Sequence, residues 1–118
     1  MEKILLELEQ SFFKYEYISD RQWLSDILHP DFSECGISGF LYTKEDTVEA
    51  LLSCEKDRDI EILDFQWAQP ADSCFLVNYI TKTENAAYYR TSLWIREDKL
   101  RLRFHQASRL SEKMFEKV

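Results

Sequence analysis

The sequence predicts an α+β fold in which a strongly curved antiparallel sheet wraps around helices, and three observations predict it. Apolar residues recur at three- and four-residue steps in the first part of the chain. From Arg58 onward the spacing switches to alternation, the period of strands. The segments between the alternating runs are only two to four residues long, too short for crossovers, so neighbouring strands must pair as an antiparallel meander.

Composition sets the frame. A length of 118 residues suits one domain, taken as residues 1–118, large enough to bury a core. A 14% aromatic share with only two Gly and two Pro argues against disorder. The net charge of −7 argues against nucleic acid, because most of the surface would repel a phosphate backbone. The basic cluster from Arg96 to Arg103 reads instead as a hairpin edge guarded by charge. Acidic residues interrupt the short apolar stretch at the N-terminus, so it does not read as a secretory leader. Nor does any apolar run approach the roughly 18 residues that span a bilayer. The expected location is cytoplasmic, with no membrane partner. Cys35, Cys54 and Cys74 are odd in number, widely spaced and without zinc-type pairing, so they read as small, partly buried hydrophobes. No metal or cofactor is expected.

Taken in order, Glu2 to Ile18 predicts an amphipathic helix with Ile4, Leu5, Leu8, Phe12 and Tyr15 on its buried stripe. Asp20 then caps a shorter helix, Arg21 to Leu28, which stops before Pro30. Asp31 onward reads as a short strand, a turn permitted by Gly36 and Gly39, and a second short strand from Gly39 to Tyr42. Thr43 caps a third helix, Lys44 to about Ser53, with Glu45 and Asp46 in the first turn where the helix dipole favours acids. Four long strands follow: Asp59 to Ala68, Ser73 to Thr83, Ala87 to Arg96, and Lys99 to Ser108. The tail from Leu110 either adds a helical turn or frays.

Several local words match a known family: Leu28-His29-Pro30-Asp31-Phe32-Ser33-Glu34, Gly36-Ile37-Ser38-Gly39, Tyr42-Thr43-Lys44, Arg90-Thr91-Ser92-Leu93-Trp94 and Phe104-His105-Gln106-Ala107-Ser108. On these words the chain resembles the nuclear transport factor 2-like (SnoaL-like, cystatin-like cone) superfamily, and within it domain-of-unknown-function family 4440. The loop between the last two strands departs from the pattern, reading Glu97-Asp98-Lys99-Leu100 where a glycine and then a tryptophan are usual. The resemblance implies a cone with a cavity at its open end. It does not settle function, because the superfamily holds isomerases, cyclases, dehydratases, oligomerisation domains and proteins without known activity.

Strand alternation selects the side chains that reach the cavity. Leu102 and Phe104 belong inside, which sends Gln106 inward and puts His105 outside with Arg101 and Arg103. The third long strand is apolar on both faces, which suggests that a second copy covers the outside as a homodimer. The resemblance implies that Arg90, Ser92 and Trp94 face the cavity, as does Tyr79 above Phe75 and Val77. Glu34 and Tyr42, on the short strands, close the mouth, where Glu34 and Arg90 would form a partly buried ion pair. His29, at a helix end, reads as structural.

A ketosteroid-isomerase-like arrangement needs a pair of inward acids, and only Glu34 offers itself. Three functions stay open. One is binding of a small anionic or aromatic ligand by Tyr42, Tyr79, Arg90, Ser92, Trp94 and Gln106. The second is an isomerase, cyclase or dehydratase using Glu34 as proton acceptor. The third is a dimerisation module whose cavity is filled by its own side chains.

Overall fold

Where the sequence alternates, strands form, and a computed structural model describes them together with the rest of residues 1–118. The elements run α1 (Glu2–Ser11), α2 (Tyr15–Ile18), α3 (Arg21–Ile27), β1 (Leu28–Cys35), β2 (Leu41–Thr43), α4 (Lys44–Leu52), β3 (Glu61–Ala71), β4 (Cys74–Lys82), β5 (Ala87–Arg96), β6 (Leu100–Arg109) and α5 (Glu112–Lys117). The strands make one six-stranded curved sheet in the order β2-β1-β6-β5-β4-β3. β3 to β6 form the expected antiparallel meander. β1 instead joins the far side of β6 in parallel, so the first and last strands meet.

The predicted first helix breaks in two. α1 ends at Ser11, and Lys14 is extended at φ −108°, ψ 127° before the single turn of α2. The break lets the adjacent Phe12 and Phe13 both be buried, which a continuous helix would hinder by turning successive side chains about 100° apart. It also disturbs the phase of the stripe. Leu5 is fully buried, but Ile4 and Tyr15, expected on the buried face, are 50% and 44% exposed.

The predicted caps form. The Asp20 carboxylate accepts from the N–H groups of Gln22 and Trp23. Thr43 and Asp46 make a reciprocal capping box at the start of α4. Lys44 Nζ donates to the carbonyls of Ser25 (2.7 Å) and Leu28 (2.9 Å), neutralising the C-terminal end of α3. Gly39 takes φ 80°, a left-handed conformation, in the turn that returns the chain to β2. His29 lies in β1 rather than at a helix end; its Nδ1 accepts from the Asp31 N–H at 3.0 Å and its Nε2 faces Glu97 at 3.4 Å.

The register of β4 on β5 is unbroken from Cys74↔Ile95 to Lys82↔Ala87. That of β5 on β6 is not: Leu93 faces Phe104 while Trp94 faces Leu102, so Arg103 is a surplus residue and a β-bulge. Leu102 points into the core before the bulge, and His105 and Ala107 are buried after it. Phe104 is partly exposed and Gln106 exposed. β3 is bulged too, near Asp64 at φ 51°, which an aspartate tolerates better than most residues. The core lies between α1, α3 and α4 and the sheet, around Leu5, Leu24, Leu28, Phe75, Val77 and Trp94. No helix is long and apolar enough to cross a membrane, and all three cysteines are free.

Candidate functional site

A cavity of about 280 Å³ opens between α1, α4 and the strands β1, β2, β4, β5 and β6. Helix α4 presents Thr47, Ala50, Leu51 and Cys54 to it, which is the i, i+3, i+4, i+7 face continued past the helix end. Sheet register places the other side. Glu34 on β1 pairs with Tyr42 on β2 and with His105 on β6, so these three meet at one level of the sheet.

The floor is built on Glu9, a carboxylate 2% exposed. The Tyr79 hydroxyl donates to Oε1 at 2.6 Å and Trp94 Nε1 donates to Oε2 at 2.7 Å. Burial pushes the Glu9 pKa up, while Tyr79, Trp94, the Ser92 hydroxyl and the charge of Arg90 pull it back down. Burial and then the Glu9 charge hold the Tyr79 hydroxyl well above its ordinary value, so Tyr79 stays a donor.

His105 adjoins this group. Its Nδ1 lies 2.8 Å from Ser92 Oγ and its Nε2 3.4 Å from an Arg90 guanidinium nitrogen. Guanidinium nitrogens only donate, so Nε2 accepts and Nδ1–H donates to Ser92, whose own hydrogen is free to turn toward Glu9. Burial first, then the charges of Arg90 and Arg58, lower the His105 pKa to about 3, and the ring is neutral at ordinary pH. With Nε2 accepting from Arg90, His105 has no free base position. Ser92, His105 and Glu9 are not a nucleophilic triad either, because the acid serves the hydroxyl and not the imidazole.

Above the floor, Arg58 and Arg90 converge. Their guanidinium carbons lie 4.9 and 5.7 Å from the centre of the Phe13 ring. Arg90 Nε donates to Thr81 Oγ1 at 2.8 Å, and Arg58 donates to the Phe12 carbonyl at 3.4 Å. Neither is in ion-pair contact with a carboxylate: the ion pairs of the chain are Arg21–Glu49, His29–Glu97 and Arg101–Asp98. Burial and then repulsion by Arg90 lower the Arg58 pKa. Glu34 lines the same wall, its pKa raised by burial against the pull of both arginines. The expected Glu34–Arg90 ion pair does not form. Thr47 lines the wall too, with its Oγ1 buried and without a hydrogen-bond partner.

Of the side chains read from sequence as pocket residues, Glu34, Tyr42, Tyr79 and Arg90 line the cavity. Ser92 and Trp94 face the same way but are fully buried beneath the floor, where they hold His105 and Glu9. Gln106 is exposed and outside the cavity, and His105 is inside it; the bulge at Arg103 reverses both expectations. The expectation of a single inward acid is corrected as well, since Glu9 and Glu34 both line the cavity. Glu9 had a signal: it stands four residues after Leu5 and three before Phe12, on the apolar stripe itself. Arg58, in an irregular segment, had none. No group of three or more His, Cys, Asp or Glu side chains is placed to hold a metal.

No protein-family model and no curated protein matches the chain. Solved structures do match. A nuclear transport factor 2-like protein from Cytophaga hutchinsonii superposes with a TM-score of 0.75 at 17% identity, over 92% of this chain and 97% of that one. One of unknown function from Pseudomonas aeruginosa gives 0.67 at 15%, again over 92% and 97%. The calcium/calmodulin-dependent kinase II hub homology domain of Chlamydomonas reinhardtii gives 0.68 at 14%, with the same coverage. The chain therefore has the nuclear transport factor 2-like, cystatin-like cone fold. At these identities the likeness is one of fold, and the nearer likeness to family 4440 rests on the quoted sequence words alone.

Proposed function

We propose that residues 1–118 act as one domain that binds a small organic anion, its charged group held between Arg58 and Arg90 and its body against the apolar wall. One observation carries this reading: two guanidiniums lie 4.9 and 5.7 Å from the centre of one phenyl ring in the lining of a cavity, and no carboxylate forms an ion pair with either. Like charges gathered in a partly desolvated site are unfavourable until an anion joins them, and guanidinium pairs suit carboxylates geometrically. The volume of about 280 Å³ sits at the lower end of ligand sites, so the ligand is small. Tyr42 and Tyr79 supply aromatic edges to it.

The test is a thermal-shift screen of small carboxylates against their matched neutral amides. A ligand at ~100 times its dissociation constant stabilises the native state by roughly 2.7 kcal/mol, enough to move the melting temperature by several degrees. A response to acids and not to amides, lost in Arg90→Ala, supports the reading. Equal responses to both members of each pair sink it.

A second reading has its own observation. Glu34 lies in the cavity without a hydrogen-bond partner and with a raised pKa, as a proton acceptor in an isomerase, cyclase or dehydratase would. Glu34→Gln should then abolish turnover of a bound acid while preserving its binding. Self-association through the outer sheet face belongs to the proposal too. Leu76, Leu93 and Ile95 are only partly buried there and Tyr89 is exposed, and two structural neighbours are described as a kinase association domain and a hub homology domain. Three free thiols suit a reducing compartment such as the cytoplasm.

A further inference from the structure

Of the two carboxylates in the cavity lining, Glu9 is bonded by the protein and Glu34 is not. The sheet partners of Glu34, Tyr42 on β2 and His105 on β6, both line the cavity. Side chains at one register level of a sheet project to the same face, so Glu34 points inward with them. Its carboxylate accepts no hydrogen bond and joins no ion pair, although Arg58 and Arg90 line the same void. Nor are its oxygens sealed off: Thr47 Oγ1 is the one inaccessible side-chain nitrogen or oxygen without a partner, and Glu34 is only partly buried. The arginines are open too. Arg58 uses one N–H on the Phe12 carbonyl. Arg90 uses Nε on Thr81 and one further nitrogen on His105, and the rest of each guanidinium fork is free. The void thus separates one accessible anionic group from two accessible cationic ones.

From this we infer that the ligand is a small zwitterion, an amino acid whose carboxylate lies between Arg58 and Arg90 and whose ammonium lies on Glu34. A plain acid would meet the Glu34 charge with nothing to offset it, whereas an ammonium turns that charge into an attraction. Burial raises the Glu34 pKa against the pull of Arg90 and Arg58, and a bound ammonium favours its ionised form. An apolar body between the two charged ends suits the rest of the lining, which includes Phe12, Phe13, Phe32 and Leu51. The inference rests on the anion-binding reading and names its ligand class.

Calorimetric titration of the full chain at neutral pH tests it, with 3- and 4-(aminomethyl)benzoate against 3- and 4-methylbenzoate. Each pair matches in shape and differs in the ammonium. At least one aminomethyl acid should bind the wild type about tenfold more tightly than its methyl partner, the effect of one hydrogen bond to a charged group. Glu34→Gln keeps the shape and removes the charge, and no side-chain hydrogen bond of the fold depends on this carboxylate. It should erase the preference while the methyl acids bind as well as before or better, and Glu34→Ala should do the same. Methyl acids that bind as tightly as their aminomethyl partners, or a preference that survives in either Glu34 variant, overturn the role of Glu34 and leave the anion site standing. Failure of all four acids to bind the wild type overturns the anion site and this inference with it.

Discussion

At the floor of the cavity, Glu9, Tyr79, Trp94, Ser92 and His105 complete one another's hydrogen bonds inside the protein. Along the wall, Arg58 and Arg90 reach only neutral acceptors and no carboxylate, and neither Glu34 nor Thr47 Oγ1 has a hydrogen-bond partner. Both regions hold charges under partial or full burial, so the difference lies in the wiring. A buried acid with three donors is fixed in place and contributes to specifying the fold. Charged side chains that line a common void without an ion pair keep charge available for something else. The pKa shifts do not separate the two, because burial raises both Glu9 and Glu34. The hydrogen-bond inventory separates them.

The largest expected effect lies at the floor. Glu9→Ala should destabilise the protein by about 3–5 kcal/mol, since it leaves the Tyr79, Trp94 and Ser92 donors buried without an acceptor. Glu9→Gln should lose less, about 1–3 kcal/mol, because the amide oxygen can still accept from Trp94 Nε1–H while its NH₂ donates to the Tyr79 hydroxyl, whose hydrogen must then turn elsewhere. Denaturant melts measure both. A loss below 1 kcal/mol for the alanine variant would erase the distinction between floor and wall.

Acid should expose the floor next. The unfolded chain takes up a proton at His105 near the ordinary pKa of 6.5, and the folded chain only near about 3. Between these values the unfolded state binds more protons, so stability falls as pH is lowered through the window, by up to ~1.4 kcal/mol per pH unit. Glu9 and Glu34, raised from 4.5, act in the opposite sense: they bind more protons when folded, so acidification from neutrality down to their unfolded value favours the native state. His105→Gln should therefore flatten or invert the acid limb of a stability–pH curve. An unchanged limb would mean that His105 does not govern it.

At the wall the effects should fall on binding. Arg90→Ala should weaken a bound benzoate by about tenfold or more while changing the denaturant midpoint little, because removing one of two unpaired cations also relieves their repulsion. A variant that unfolds instead would place Arg90 with the floor, through its contacts to His105 and Thr81. The smallest effect on stability is expected outside the cone. Leu93→Lys should shift a dimer to monomers in light scattering with nearly unchanged melting, and an unaltered dimer would remove Leu93 from the interface.

Much of the fold was legible, because the order of helices, caps and strands follows from local chemistry: Asp20 and Thr43 cap where a short polar side chain precedes a helix, and β5 has the bounds read from the sequence, Ala87 to Arg96. The site was legible only in part. Alternation carries a side chain's direction along a strand until a bulge resets it, and the surplus Arg103 looks like any other basic residue in a strand. Glu9 was passed over since a carboxylate on an apolar stripe suggests a phase error unless its donors are known, and Tyr79 and Trp94 come from strands far along the chain. Arg58 owes its position to the irregular segment after α4, whose path no periodicity encodes.

The parallel pairing of β1 with β6 has a consequence for how the molecule is assembled in time. Leu28↔Leu102 and Glu34↔His105 join residues ~70 positions apart, and such contacts form only after the loop-closure entropy of the intervening chain has been met. The meander of β3 to β6 requires only short closures and is expected to form first, before β1 adds Glu34 to it. Stopped-flow refolding should accordingly show β1–β6 contacts absent from the transition state, with Leu28→Ala speeding unfolding far more than it slows folding. A cavity whose wall is finished last is also the first part to open, so a ligand that fills it would act as a brake on unfolding.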